Sequence, residues 1–101
     1  MNTQITVNMN NQTALKKQFS QIKNQIFKLS NKLREKREEN FRLVRLQLQV
    51  PSEKTLSEEY QNRKKIINQI QKEVDILHKQ IMALEKEKNK IGEEIEQLEE
   101  A

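Results

Sequence analysis

The chain has no cysteine, no tryptophan, one glycine and one proline in 101 residues, with three phenylalanines and one tyrosine. Without cysteine it can form neither a disulfide framework nor a thiolate metal site, which suits a reducing compartment. A single glycine excludes a Gly-rich phosphate loop, and no Ser-His-Asp set or pair of buried carboxylates can be assembled. No window approaches the ~18 consecutive apolar residues of a membrane span. The opening MNTQITVNMNNQ also lacks the basic start and apolar run of a secretory signal. The expectation is one small, soluble, intracellular protein of the cytoplasm or nucleus, without catalytic activity or cofactor.

Hydrophobic residues make up 34% of the chain and charged residues another 34%. So little apolar surface in so short a chain does not enclose a spherical core. Disordered chains lack regular apolar spacing; this one has it, and the pattern points to long helices or a coiled coil. From Leu56 the steps run 4, 3, 4, 3 through Tyr60, Arg63, Ile67, Ile70, Val74, Leu77, Ile81, Leu84, Lys88, Ile91, Ile95 and Leu98. A repeat averaging 3.5 residues keeps one stripe turned toward a partner helix. Thr55-Leu-Ser-Glu58 reads as a capping box at its start. The first half carries the same spacing, from Leu15 through Phe19, Ile22, Ile26, Leu29, Leu33, Lys36, Asn40 and Leu43 to Gln47. Thr13 is its expected N-cap.

These boundaries predict a polar flexible tail over 1–12, helix 1 over 13–48, a hairpin tip over 49–54 around Pro51, and helix 2 over 55–101. A short polar link with a proline makes antiparallel neighbours. The fold class is therefore all-α: an antiparallel two-helix coiled-coil hairpin, assembled further into a larger bundle or a dimer. Folded at Pro51, the seams register when facing residue numbers add to 103. Five all-apolar layers result: Phe19 with Leu84, Ile22 with Ile81, Ile26 with Leu77, Leu29 with Val74, and Leu33 with Ile70. Toward the tip follow Lys36/Ile67, Asn40/Arg63, Leu43/Tyr60 and Gln47/Leu56. On the flanks this register sets Lys16 beside Glu85 and Lys32 beside Glu73. A rival arrangement zips helix 2 to helix 2 of a second chain in parallel, as β-branched residues at a and Leu at d favour.

Several apolar residues find no place in those layers. Phe27, Phe41, Val44, Leu46 and Leu48 on helix 1, and Ile66, Ile76 and Met82 on helix 2, lie off the seam. Ile91, Ile95 and Leu98 face Gln12, Asn8 and Ile5, so they too are expected to seek a partner. The predicted partner surface comprises Phe27, Phe41, Val44, Leu48, Ile66, Ile91, Ile95 and Leu98.

Net charge is +4, unevenly spread. Residues 1–50 carry ten Lys or Arg against three Glu, whereas residues 51–101 carry nine against twelve acids. Arg34, Lys36, Arg37, Arg63, Lys64 and Lys65 gather near the tip and form a candidate polyanion contact. Interleaved glutamates make a mixed-charge solvated face the simpler reading. His78 stands alone, and zinc wants three or four convergent ligands, so no metal site is expected. Lys88 and Arg63 on the seam are candidate register devices or side chains that snorkel outward. The functional expectation is a non-enzymatic coiled-coil adaptor whose partners are other protein helices, in self-association or a hetero-complex, with no membrane. An accessory nucleic-acid binder or a small helical-hairpin chaperone is the alternative.

Overall fold

A computed structural model describes residues 2–100, with side chains described from 11 to 100. Among the described residues there is no strand: α1 (Asn2–Leu48) is followed by a short 3-10 turn (Ser52–Lys54) and α2 (Glu58–Glu100). The two long helices lie together as a helical hairpin, which replaces the open parallel arrangement. The chain divides into two units, Met1–Lys28 with Gln80–Ala101 and Leu29–Lys79, each taking a stretch of both helices.

α1 starts at Asn2, not at Thr13, so the expected flexible tail supplies its first turns. No proline or glycine stands between Asn2 and Thr13 to stop it. The side chains of Ile5 and Asn8, expected to face Leu98 and Ile95, lie outside the described ones. At its other end α1 tightens, with Gln49 N–H donating to Leu46 O and Val50 N–H to Gln47 O, each at 3.2 Å. Pro51 then has no N–H to continue the ladder and disfavours helical backbone at the residue before it.

The turn is longer than the expected 49–54. Lys54 N–H donates to Pro51 O at 2.9 Å, and Ser57 N–H to Lys54 O at 3.1 Å. The Thr55 capping box does not form, because the Thr55 hydroxyl donates instead to Ser52 O at 2.9 Å. Ser57 caps α2: its Oγ accepts from Tyr60 N–H at 3.3 Å, filling one of the helix's orphan donors. Glu58 and Glu59 in the first turn suit the positive end of the helix. Leu56 falls outside α2 and off the seam, 88% exposed.

Every other expected seam position, Leu15 to Gln47 and Tyr60 to Leu98, is buried or half-buried. Ile22, Ile81 and Ile91 are the buried apolar residues of the first unit; Leu33, Ile70 and Leu77 are those of the second. No described side chain is sealed completely from solvent.

The register differs from the expected one. In the first unit the Phe19 ring lies against Gly92, and Gln12 Nε2 donates to Glu99 Oε1 at 3.2 Å; both pairs of numbers add to 111. In the second, Lys36 and Glu73 add to 109, and Gln47 and Arg63 to 110. Each unit is thus slid by about one heptad from the 103 register. The pairings of Phe19 with Leu84, Ile22 with Ile81, Leu29 with Val74 and Leu33 with Ile70 are replaced. Near the tip Lys36/Ile67, Asn40/Arg63, Leu43/Tyr60 and Gln47/Leu56 give way with them. Lys16 meets Glu99 at 3.5 Å rather than Glu85, and Glu73 takes Lys36 rather than Lys32. The physical reason is the turn: because it extends to Ser57, the chain doubles back some residues later than Pro51.

The slide also explains the far end of α2. Ile91 is buried, and Ile95 and Leu98 are half-buried, so these three belong to the seam rather than to a free partner surface. Gly92 sits where a β-carbon would lie 3.5 Å from Phe19 Cε2, an ordinary contact distance. Gly92→Ala is expected to stabilise the protein by about 1 kcal/mol, since glycine inside a helix costs that much relative to alanine. Thermal unfolding followed by circular dichroism checks it; an unchanged or lowered Tm contradicts the packing of Phe19 on Gly92.

Candidate interaction surface

In the Leu29–Lys79 unit three polar residues of the seam, Lys36, Gln47 and Arg63, have side-chain partners. Lys36 Nζ meets Glu73 Oε2 at 2.8 Å, both side chains being about two-thirds covered. Arg63 Nε donates to Gln47 Oε1 at 2.8 Å, while Gln47 Nε2 donates to Tyr60 O at 3.0 Å. Lys36 and Arg63 are therefore withdrawn from the expected polyanion cluster, whereas Arg34, Arg37, Lys64 and Lys65 remain exposed. Asn40 Oδ1 is buried without a hydrogen-bond partner, the costly state for a polar atom.

The Lys36–Glu73 contact perturbs both groups. The hydrogen bond from Lys36, then one from Gln69, and the lysine's charge hold Glu73 below its ordinary 4.5. The hydrogen bond to Glu73, and then its charge, raise Lys36 above 10.5. A depressed carboxylate contributes stability above its unfolded pKa and loses it as pH falls through the folded one; a raised lysine loses its contribution as pH climbs past 10.5. The stability difference between wild type and Glu73→Gln is thus expected to stay level through neutral pH and shrink below pH 4.5. Urea unfolding from pH 3 to 8 reads this out (roughly the span set by linkage). A difference that stays level down to pH 3 would show that the ion pair is not formed.

The remaining apolar exposure is concentrated outside the seam. Phe41 is 64% exposed and Leu48 80%. Phe27, Ile66, Ile76, Met82 and Leu46 also stand in solvent, while Val44 is half-covered. Arg45 lies over the Phe41 ring, its guanidinium carbon 5.8 Å from the centroid, and Lys23 stands at the same distance from Phe19. Two shallow concavities on α1 meet at Phe41. One is bordered by Ser30, Leu33, Arg34, Arg37 and Glu38, the other by Arg42, Arg45, Leu46 and Gln49. His78 is exposed. Among the described residues no three His, Cys, Asp or Glu side chains converge to hold a metal ion. No described helix is long and apolar enough to cross a membrane.

Known protein families, characterised proteins and solved structures offer no match to this chain. Function is left to the residues themselves. The off-seam apolar groups were visible in the sequence from their spacing. The Gln47–Arg63 and Lys36–Glu73 contacts were not, because they depend on the register. The signal that could have found them is the orphaned trio Ile91, Ile95 and Leu98, which a slide of seven residues pairs with α1.

Proposed function

We propose that the protein is a non-enzymatic coiled-coil adaptor, a hairpin that joins other protein helices into a larger assembly. The observation that carries this reading is the outer apolar surface, above all Phe41 and Leu48, at 64% and 80% exposure. Singly scattered apolar residues on a surface need no explanation, but a run of them along one helix does. The seam between α1 and α2 leaves these side chains in water, and a further helix packed on them removes that surface at a gain of ~25 cal/mol per Å². No arrangement of nucleophile, base and oxyanion donors competes with this reading among the described residues.

The test compares wild type with a Phe41→Ser/Leu48→Ser variant, each purified from its native cell after mild crosslinking. Wild type is expected to retain a defined, stoichiometric protein partner or a second copy that the variant loses, with far-UV circular dichroism unchanged. Identical retention by both proteins, or retention by neither, overturns the proposal. A second reading, polyanion binding, rests on the exposed Arg34, Arg37, Lys64 and Lys65. It predicts salt-dependent heparin retention that Arg34→Glu/Arg37→Glu abolishes.

A further inference from the structure

The outer side of α1 between Ser30 and Leu48 carries a second stripe with the spacing of a helix-mating surface. Ser30, Arg34, Arg37, Phe41, Val44 and Leu48 follow one another by 4, 3, 4, 3 and 4 residues. Each stands one residue beyond a seam position, so the stripe is turned from the seam by ~100°, the rotation per residue of an α-helix. That is the direction from which a third helix packs against one member of a helix pair. Val44 being half-buried and Phe41 exposed fits a stripe that starts at the edge of the seam and rounds into solvent.

We infer that this stripe receives an acidic amphipathic helix from a partner protein, an inference that rests on the adaptor reading and names the chemistry of its partner. The apolar floor is Phe41, Val44 and Leu48; the walls are Arg34, Arg37 and Arg45. Among the described residues none of these three arginines takes part in an ion pair, and the ion pair on this stretch of α1 goes to Lys36 instead. A helix presenting Leu or Ile at i, i+3 or i+4, and i+7, flanked by Glu or Asp, fills the floor and meets the guanidinium groups with carboxylates, the pairing for which arginine is best shaped.

Other occupants fit less well. Nucleic acid has no use for Val44, Leu46 and Leu48, whereas the leucine face of an amphipathic helix covers them. A second copy lying parallel sets each arginine against itself. An antiparallel one that buries Phe41, Val44 and Leu48 of both copies has its dyad near Val44, which carries Arg34 and Arg37 of each copy past the end of the other's α1 at Leu48.

The experiment uses the full chain and two fluorescein-labelled synthetic helices with the same leucine stripe, one flanked by Glu and one by Lys, read by anisotropy. The Glu helix is expected to bind about tenfold tighter than the Lys helix at low salt, with the gap closing in high salt. Arg34→Glu/Arg37→Glu should reverse the preference, and Phe41→Ser should weaken both by about tenfold. Circular dichroism verifies that each variant stays helical. Equal binding of the two helices, sensitive to Phe41→Ser, overturns the acidic partner and leaves the adaptor reading standing. Failure of both helices overturns the inference. If sedimentation then shows self-association that Phe41→Ser abolishes, the second copy is the occupant. If instead a single-stranded RNA oligonucleotide binds with steep salt dependence, the adaptor reading falls as well.

Discussion

Cysteines placed at Leu33 and Leu77 are expected to close a disulfide within one chain, and cysteines at Leu33 and Ile70 are not. Both pairs join buried apolar positions of the same unit, and both match an a residue with a d. They differ only in register. The facing contacts Lys36–Glu73 and Gln47–Arg63 set numbers adding to about 110, which Leu33 and Leu77 satisfy. Ile70 lies one heptad away along α2, ~10.5 Å at ~1.5 Å per residue, beyond the ~7 Å that two Cα atoms may be apart in a disulfide. Mild oxidation at low protein concentration, followed by non-reducing electrophoresis and peptide mapping, decides between them. Efficient closure of the Leu33/Ile70 pair alone would overturn the register described above.

Ile70→Ala is expected to cost about 2–4 kcal/mol, within the range for emptying a buried branched site. Ile70 is the least exposed of the buried residues, at 4%, and the register sets it opposite Asn40. Among the described residues six apolar side chains are buried and none is sealed, so few contacts absorb the loss and the Tm should fall measurably. Circular dichroism melts and urea titrations measure this, and a loss under 1 kcal/mol (well below the usual range for such truncations) would mean that Ile70 is not a core residue. Asn40→Leu should go the other way, stabilising by about 1–2 kcal/mol, because the buried Asn40 Oδ1 has no partner and its desolvation is uncompensated.

These two results separate what could be read in the sequence from what could not. Burial follows the 4, 3 spacing because a helix face repeats every 3.5 residues whatever it packs on. Leu15 to Gln47 and Tyr60 to Leu98 could therefore be assigned in advance. Leu56 could not: it kept the spacing, but Ser57 and not Thr55 caps α2. Register is a different kind of information. Two heptad stripes still face one another after any slide of seven residues, so the 4, 3 spacing alone leaves it undetermined. The 103 alignment gathered five apolar layers yet stranded Ile91, Ile95 and Leu98. The observed one covers them and keeps Lys36, Asn40 and Gln47 on the seam, where Glu73 and Arg63 answer two of the three. The candidate surface was legible as leftover Phe41, Val44 and Leu48. Which basic residues border it was not, since Lys36 and Arg63 turn out to be occupied elsewhere.

The indifference of the stripes to a slide of seven has a bearing on how such a chain tolerates change in length. Seven residues inserted in α1 and seven in the facing part of α2 would leave every flanking side chain on its own side, and the molecule would simply gain a storey. Two residues added to one arm would swing Arg34, Phe41 and Leu48 some 200° around α1 (two steps of ~100°) and turn them into the seam. Growth or shortening of this protein in descent is thus expected in paired steps of seven, with the turn at Pro51–Ser57 left intact.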